Sequence, residues 1–111
     1  MANDFKLHCA NLDSTAEITL ITATGSSIFI VSSIIISNVD PNVDSTIDLT
    51  ITDTSQSADF LILQDELILR TMSKEVLSRP FVMENLDILK IQAANANIFH
   101  IMISYLDRDR E

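Results

Sequence analysis

Isoleucine, valine and threonine occur 16, 5 and 9 times in 111 residues, in short runs separated by polar turns. β-Branched side chains crowd the preceding turn of a helix but fit a pleated, half-buried surface, so this distribution predicts strands. The run 46–54 shows the period of two. Ile47, Leu49 and Ile51 fall on one face, and Thr46, Asp48, Thr50 and Thr52 on the other. Strands are expected at 5–10, 16–23, 27–38, 46–53, 59–63, 67–71, 80–83, 87–93 and 98–106. Turn residues lie between them at 11–14, 24–26, 40–42, 54–57 and 94–97. A helical turn is expected at 73–77, with Ser73 as its cap and Pro80 preventing extension. A strand every 8–14 residues or so is the spacing of a sandwich. The expected fold is all-β: one antiparallel β-sandwich, Ig-like or jelly-roll-like, of about eight strands, over residues 1–111 with short irregular ends.

A single glycine, Gly25, rules out the glycine-rich phosphate-binding loops. It also requires the turns to be built from Asn, Asp and Ser, which tolerate left-handed backbone better than most residues. A single cysteine, Cys9, excludes a disulfide within the chain and suits a reducing compartment. The first residues lack the basic region and apolar run of a secretory leader, and no window is long and apolar enough for a membrane-spanning helix. The formal net charge is −9, concentrated in residues 1–60, where Lys6 is the only base against eight acids. A nucleic-acid binder presents a basic face, and an acidic surface is repelled by anionic lipid. Neither DNA, RNA nor a membrane is therefore an expected partner.

Two runs are apolar on both faces. In 27–38, strict alternation places Ile28, Ile30, Ile34 and Ile36 opposite Phe29, Val31 and Ile35. In 98–106, Phe99, Ile101, Ile103 and Tyr105 oppose Ile98, Met102 and Leu106. One face of a sandwich strand normally meets solvent, so these two need further cover. The chain's own loops and termini supply it on one reading. On the other, the cover is a second protein surface, such as a neighbouring copy. The interface candidates are Phe29, Val31, Ile35, Met102 and Leu106, joined by Arg108 and Arg110 if the charged tail is a docking arm and not a solvated end.

Reactive constellations are weak. His8 and Cys9 are adjacent, but neighbouring strand residues point to opposite faces. Cys9 is better read as a small buried residue, even though His100 could meet it across the sheet. Asp40, Asn42, Asp44 and Asp48 resemble the start of a calcium loop, but Ser45 and Ile51 stand where the turn glycine and the bidentate glutamate belong. Glu84 with Asp87, and Asp65 with Glu66, are possible carboxylate pairs, yet nothing directs either pair into a shared pocket, and both read as solvated charge. Five Phe, one Tyr and no Trp are few for a sugar-stacking module. No catalytic residue, cofactor or metal is expected.

The order of segments carries a resemblance. Leu20-Ile21-Thr22-Ala23 leads into Thr24-Gly25-Ser26-Ser27, then 28–36 ends in Ser37-Asn38. The segment 46–53, with Ser55 beyond it, and Leu61-Ile62-Leu63 follow. The chain closes with Glu84-Asn85-Leu86-Asp87-Ile88-Leu89-Lys90, Ala93-Ala94-Asn95 and Ser104-Tyr105-Leu106. Over residues 16–107 this pattern resembles the small all-β virion structural proteins of marine tailed bacteriophages. That family often has a glycine before the aspartate of the 84–87 turn, where this chain has Leu86. The resemblance implies a repeated, non-enzymatic subunit of a head, neck or tail. The expected role is capsid decoration by adhesion, with a neck or tail component as the alternative and a small-ligand-binding module as the alternative of another class. It implies other virion proteins as partners (major capsid, neck or tail subunits), a homo-oligomer in the assembly, and location in the virion after synthesis in the host cytoplasm.

Overall fold

Nine strands and no helix form among the described residues (3–24, 26–77, 79–84 and 86–109) of a computed structural model. In chain order they are β1 (Asn3–Leu12), β2 (Ile18–Thr22), β3 (Ser27–Asn38), β4 (Ser45–Asp53), β5 (Ala58–Ile68), β6 (Ser73–Glu75), β7 (Phe81–Glu84), β8 (Ile88–Ala93) and β9 (Phe99–Asp109). All pairings are antiparallel. One sheet has the order β1-β9-β3-β6, with β7 also paired to β3, and the other has the order β2-β8-β4-β5. The chain crosses between sheets after β1, β2, β3, β5, β7 and β8.

The core lies between the sheets. Leu12, Phe29, Val31, Ile34, Ile36, Met83, Phe99, Ile101 and Ile103 of the first sheet meet Leu20, Ile21, Ile47, Leu49, Ile68, Leu89, Ile91 and Ala93 of the second. Burying aliphatic side chains of this size contributes roughly 1.5–3 kcal/mol each, which is what the β-branched density makes possible without a disulfide. At ~3.4 Å per residue, the eleven residues of β9 reach about 37 Å. The molecule measures 48 × 28 × 23 Å along its principal axes.

Three expectations are corrected. The helical turn at 73–77 is instead a strand. Residues Ser73–Glu75 pair with Ile35–Ser37, Val76 N donates to Ile34 O at 2.9 Å, and the Ser37 and Ser73 hydroxyls lie 2.7 Å apart. An isolated helical turn gains one backbone hydrogen bond for three ordered residues, whereas the open edge of β3 offers several. The strand expected at 59–63 and the start of the one expected at 67–71 belong to a single strand, β5. It passes its irregular registers against β4 by placing Asp65 at φ 52° and bonding Asp65 N to Asp48 Oδ1 at 2.7 Å. Residues 69–72 form the turn that follows, with Met72 N bonded to Leu69 O.

The third correction concerns the faces of β3. Its register against β9 shifts between Val31 and Ser33. The inserted residue, Ser32, is exposed and donates its hydroxyl to Ser104 O at 3.0 Å. A bulge of this kind reverses the in–out phase of the strand beyond it. Phe29 and Val31 therefore share the core face with Ile34 and Ile36, while Ile28, Ile30 and Ile35 lie on the outer face.

Candidate interface

Register places the outer-facing residues of the first sheet in rows across its strands. Phe5 on β1 pairs with Leu106 on β9, Leu106 with Ile30 on β3, and Ile30 with Val82 on β7. These four apolar side chains therefore stand side by side across about 14 Å of sheet, at ~4.8 Å per strand. Phe5 is 88% exposed and Val82 55%, with Ile30 and Leu106 half-buried between them. On β1, Leu7 extends the strip one outward position along and is 57% exposed. The next apolar row is Met102, 43% exposed, beside half-buried Ile35, and the Ser32 bulge lies between the two rows. A phenylalanine almost as exposed as in an unfolded chain, joined to a continuous apolar row, marks a surface that gains by being covered.

Of the interface candidates named from the sequence, Ile35, Met102, Leu106 and Arg108 lie on this outer face. Phe29 and Val31 do not. They are 5% and 0% exposed, and the Phe29 ring packs on Tyr105 with centroids 4.8 Å apart. Arg110 lies outside the described residues. Phe5, Leu7, Ile30 and Val82 join the face without having been candidates. Alternation of Phe5 and Leu7 with Lys6 and His8 is visible in the sequence, but only the topology shows that β1 is an edge with one face in solvent.

The inward side of the overhanging end of this sheet is polar. Lys6 Nζ donates to Asp107 Oδ2 at 3.0 Å. The nearly buried Ser27 hydroxyl lies near enough to the same carboxylate to lower its pKa, and Asp107 Oδ1 is buried with no hydrogen-bond partner among the described residues. Burial pushes the Asp107 carboxyl up. The hydrogen bond from Lys6 and the nearby Ser27 hydroxyl, with the Lys6 charge, more than offset this and hold it below the usual carboxylate range. Lys6 is raised in turn, chiefly by its hydrogen bond and Coulombic attraction to Asp107, with a smaller contribution from Asp4.

The acids of the calcium-like stretch accept from backbone amides. Asp40 Oδ1 accepts from Asn42 N and Val43 N, Asp44 Oδ1 from Arg70 N, and Asp48 Oδ1 from Asp65 N, so the three acids of the calcium-like stretch serve three different turns. Buried Asn38 fixes the same region, donating to Val43 O and Ile68 O and accepting from Asp40 N. Asp48 and Asp65 also line an open polar depression of about 200 Å³ with Thr46, Gln92, Ala93 and Ala94. Among the described residues no three His, Cys, Asp or Glu side chains are grouped to hold a metal ion.

Two site readings are corrected. Asp87 is not solvated: it is 9% exposed, accepting Thr54 N on Oδ1 and Glu84 N on Oδ2, both at 3.1 Å. With Ala23 N on Asp87 O and Thr54 Oγ1 on Leu86 O, it ties the β7–β8 turn to the β4–β5 turn. Cys9 is exposed, not buried, because its side of β1 is the solvent side. It shares an open depression of about 420 Å³ with His100 and Met102, while half-buried His8 takes the opposite parity on the strand.

No family model matches the chain, and no curated protein matches its sequence. Three solved structures align with it. A chain from Bacillus endospore appendages, described as a novel family of disulfide-linked pili, aligns with 99% of this chain and 88% of its own, at TM-score 0.57 and 8% identity. The N-terminal modules of xylanase 10B from Clostridium thermocellum, bound to xylohexaose, align with 96% of this chain over 25% of their own length (TM-score 0.44, 11% identity). A chain of the capsid asymmetric unit of cyanophage Pam1 aligns with 96% of this chain and 84% of its own (TM-score 0.39, 11% identity). The first similarity is one of fold, and the other two are too distant to carry an argument.

Proposed function

We propose that this chain is a structural subunit of a bacteriophage particle, and within it a capsid decoration subunit that acts by adhesion. The observation that carries the reading is the exposed row Phe5–Leu106–Ile30–Val82 on an otherwise acidic protein. Covering such side chains contributes roughly 1.5–3 kcal/mol each, a gain realised only in an assembly. The net charge of −9 suits a site outside packaged DNA. Consecutive strands pass between sheets at most connections, which favours the jelly-roll form of the sandwich over the Ig-like form. The pili of the Bacillus appendages use the same general fold.

The reading is non-enzymatic. His8 and Cys9 point apart, the Asp87 carboxylate is bonded to two backbone amides, and the Glu66 carboxylate is paired with Lys74. Its partners are other virion proteins, the major capsid protein first, and its location is the virion. The test is the stoichiometry of this chain in purified particles. A copy number in fixed proportion to the major capsid protein is expected. A few copies per particle would place it in the neck or tail, and absence from particles would overturn the reading.

A further inference from the structure

Of the sheet edges, β1 alone among the described residues is both long and regular. β2 has five residues and a register shift, β6 three residues, β7 four, and β5 is interrupted by two register shifts and by Asp65 in left-handed backbone. Short, bulged edges are the devices that stop strands from pairing with another chain. β1 has none of them. Its ten residues pair one-to-one with β9 from Asn3 to Leu12, without proline or bulge. No described segment pairs with its other side. It also carries the most exposed apolar side chain, Phe5.

Charge selects what pairs with it. Asp4 and Lys6 sit two positions apart on the inward side of β1, so an antiparallel copy centred on Phe5 sets Asp4 of each strand opposite Lys6 of the other. Opposite charges at facing positions stabilise a strand pair, and like charges destabilise it. Centring on Lys6 would oppose two ammonium groups. Asp4 has no hydrogen bond or ion pair to another described side chain, although it lies near enough to Lys6 to raise it. The Asp4, Lys6 and Asp107 cluster holds two carboxylates against one ammonium, so a second Lys6 meets unsatisfied charge.

We propose that β1 is a homodimer edge, paired antiparallel to β1 of a second copy about a two-fold axis at Phe5. Asn3 then faces Leu7 of the second copy, Asp4 faces Lys6, and Phe5 faces Phe5. The two outer apolar rows become one continuous strip across the joined sheets. This deepens the structural-subunit reading by naming one partner as the chain itself. A five-residue ladder is a small interface, so the pair is weak in free solution, with a dissociation constant on the order of 10 µM to 1 mM. Tethering on a particle raises its occupancy through effective concentration.

The test is disulfide trapping of the full chain in a Cys9→Ser background, together with light-scattering mass across a concentration series. Facing Cα atoms at the axis are about 4.5–5.5 Å apart, within disulfide reach. Phe5→Cys should therefore cross-link to dimer under mild oxidation. Leu7 positions are about 14 Å apart, so Leu7→Cys should not. Asp4→Lys, with far-ultraviolet circular dichroism unchanged, should raise the dissociation constant at least about tenfold, because two symmetry-related attractions become repulsions. A chain that stays monomeric at 1 mM or so would overturn the inference, as would trapping at Leu7→Cys or at native Cys9 in preference to Phe5→Cys. A monomer that still binds particles would overturn this inference alone and leave the adhesive reading standing.

Discussion

Leu86 and Thr71 hold left-handed backbone, with φ of 68° and 60°, where neither side chain is at ease. For L-residues other than Gly, Asn and Asp, that region costs roughly 1–2 kcal/mol, most for a β-branched residue such as Thr71. Leu86 occupies the position where a glycine would relieve the strain, and it is held there by its neighbours. Asp87 N bonds Glu84 O, and Thr54 Oγ1 bonds Leu86 O. Leu86→Gly should therefore raise stability by about 0.5–1 kcal/mol, the relief of strain less the greater freedom glycine gives the unfolded chain. Thr71→Gly should do the same, while Asn97→Gly, at φ 64°, should change little because asparagine already tolerates the region. The urea midpoint at constant slope is the measure, and a destabilised Leu86→Gly would show that the half-turn is held by packing of the leucine side chain. Asp87 is the opposite case. Its carboxylate is the partner of two backbone amides in a nearly buried turn, so Asp87→Ala should cost about 2–3 kcal/mol, the cost of leaving those donors without a partner.

At the scale of elements, β3 decides which side chains are core. The single inserted residue Ser32 lets Phe29 and Val31 point inward together with Ile34 and Ile36, although these two pairs have opposite parity in the sequence. Deleting Ser32 removes the extra residue and leaves Phe29, Val31, Ile34 and Ile36 in one parity, so the core face is kept and the change should cost no more than about 1 kcal/mol. Phe29→Ala, by contrast, empties a core site and loses the Phe29–Tyr105 contact, and should cost about 3–5 kcal/mol. Ser32→Ala keeps the residue count and should stay within about 0.5 kcal/mol, since it removes only one exposed hydroxyl bond. A loss of more than about 2 kcal/mol on deleting Ser32, in thermal or urea unfolding, would mean that the strand does not re-pair by strict alternation. The same element shows what is legible in the sequence. The core faces of runs 46–53 and 98–106 can be read there because their alternation is unbroken where they pair, Ile47 with Leu49, and Phe99 with Ile101 and Ile103. The faces of β3 cannot, because an inserted residue leaves no mark in a run apolar at nearly every position; the two serines in it are the only hint. The exposed row is equally hidden. Phe5, Leu106, Ile30 and Val82 come from four distant segments of the chain, and only strand order makes them neighbours.

For the whole molecule, pH acts on stability and on association in different windows. Asp53 and Asp107 both titrate below the ordinary carboxylate value of 3.8. In Asp53 this is mainly due to the Ser55 hydroxyl bond, supported by Gln56 and working against burial; in Asp107 burial is outweighed by Lys6 and Ser27. A carboxyl depressed in the folded state contributes stability that is fully present above its unfolded value and is lost as pH falls through its folded value. Lys6 is raised above 10.5, chiefly by Asp107, so its contribution is fully present below 10.5 and is lost as pH rises through its folded value. Stability should thus be nearly level between about pH 5 and 9, fall below about pH 4 and fall again above about pH 10. The Lys6 side chain is about half solvated, 46% exposed against 16% for Asp107, so Lys6→Met should flatten the alkaline limb only modestly. Association follows net charge instead. At pH 7 each copy carries −9, and this repulsion opposes any contact between copies. It vanishes towards the sequence pI near 4.4, above the pH at which the depressed carboxylates lose their contribution. Lowering pH from 7.5 to 5.5 at low salt should therefore strengthen self-association several-fold with no change in unfolding midpoint, and added salt at pH 7.5 should act in the same direction by screening. If sedimentation equilibrium found association weakened at pH 5.5, or unmoved by salt, charge repulsion would not be the term that limits contact between copies. The apolar row would then have to meet a partner other than this chain.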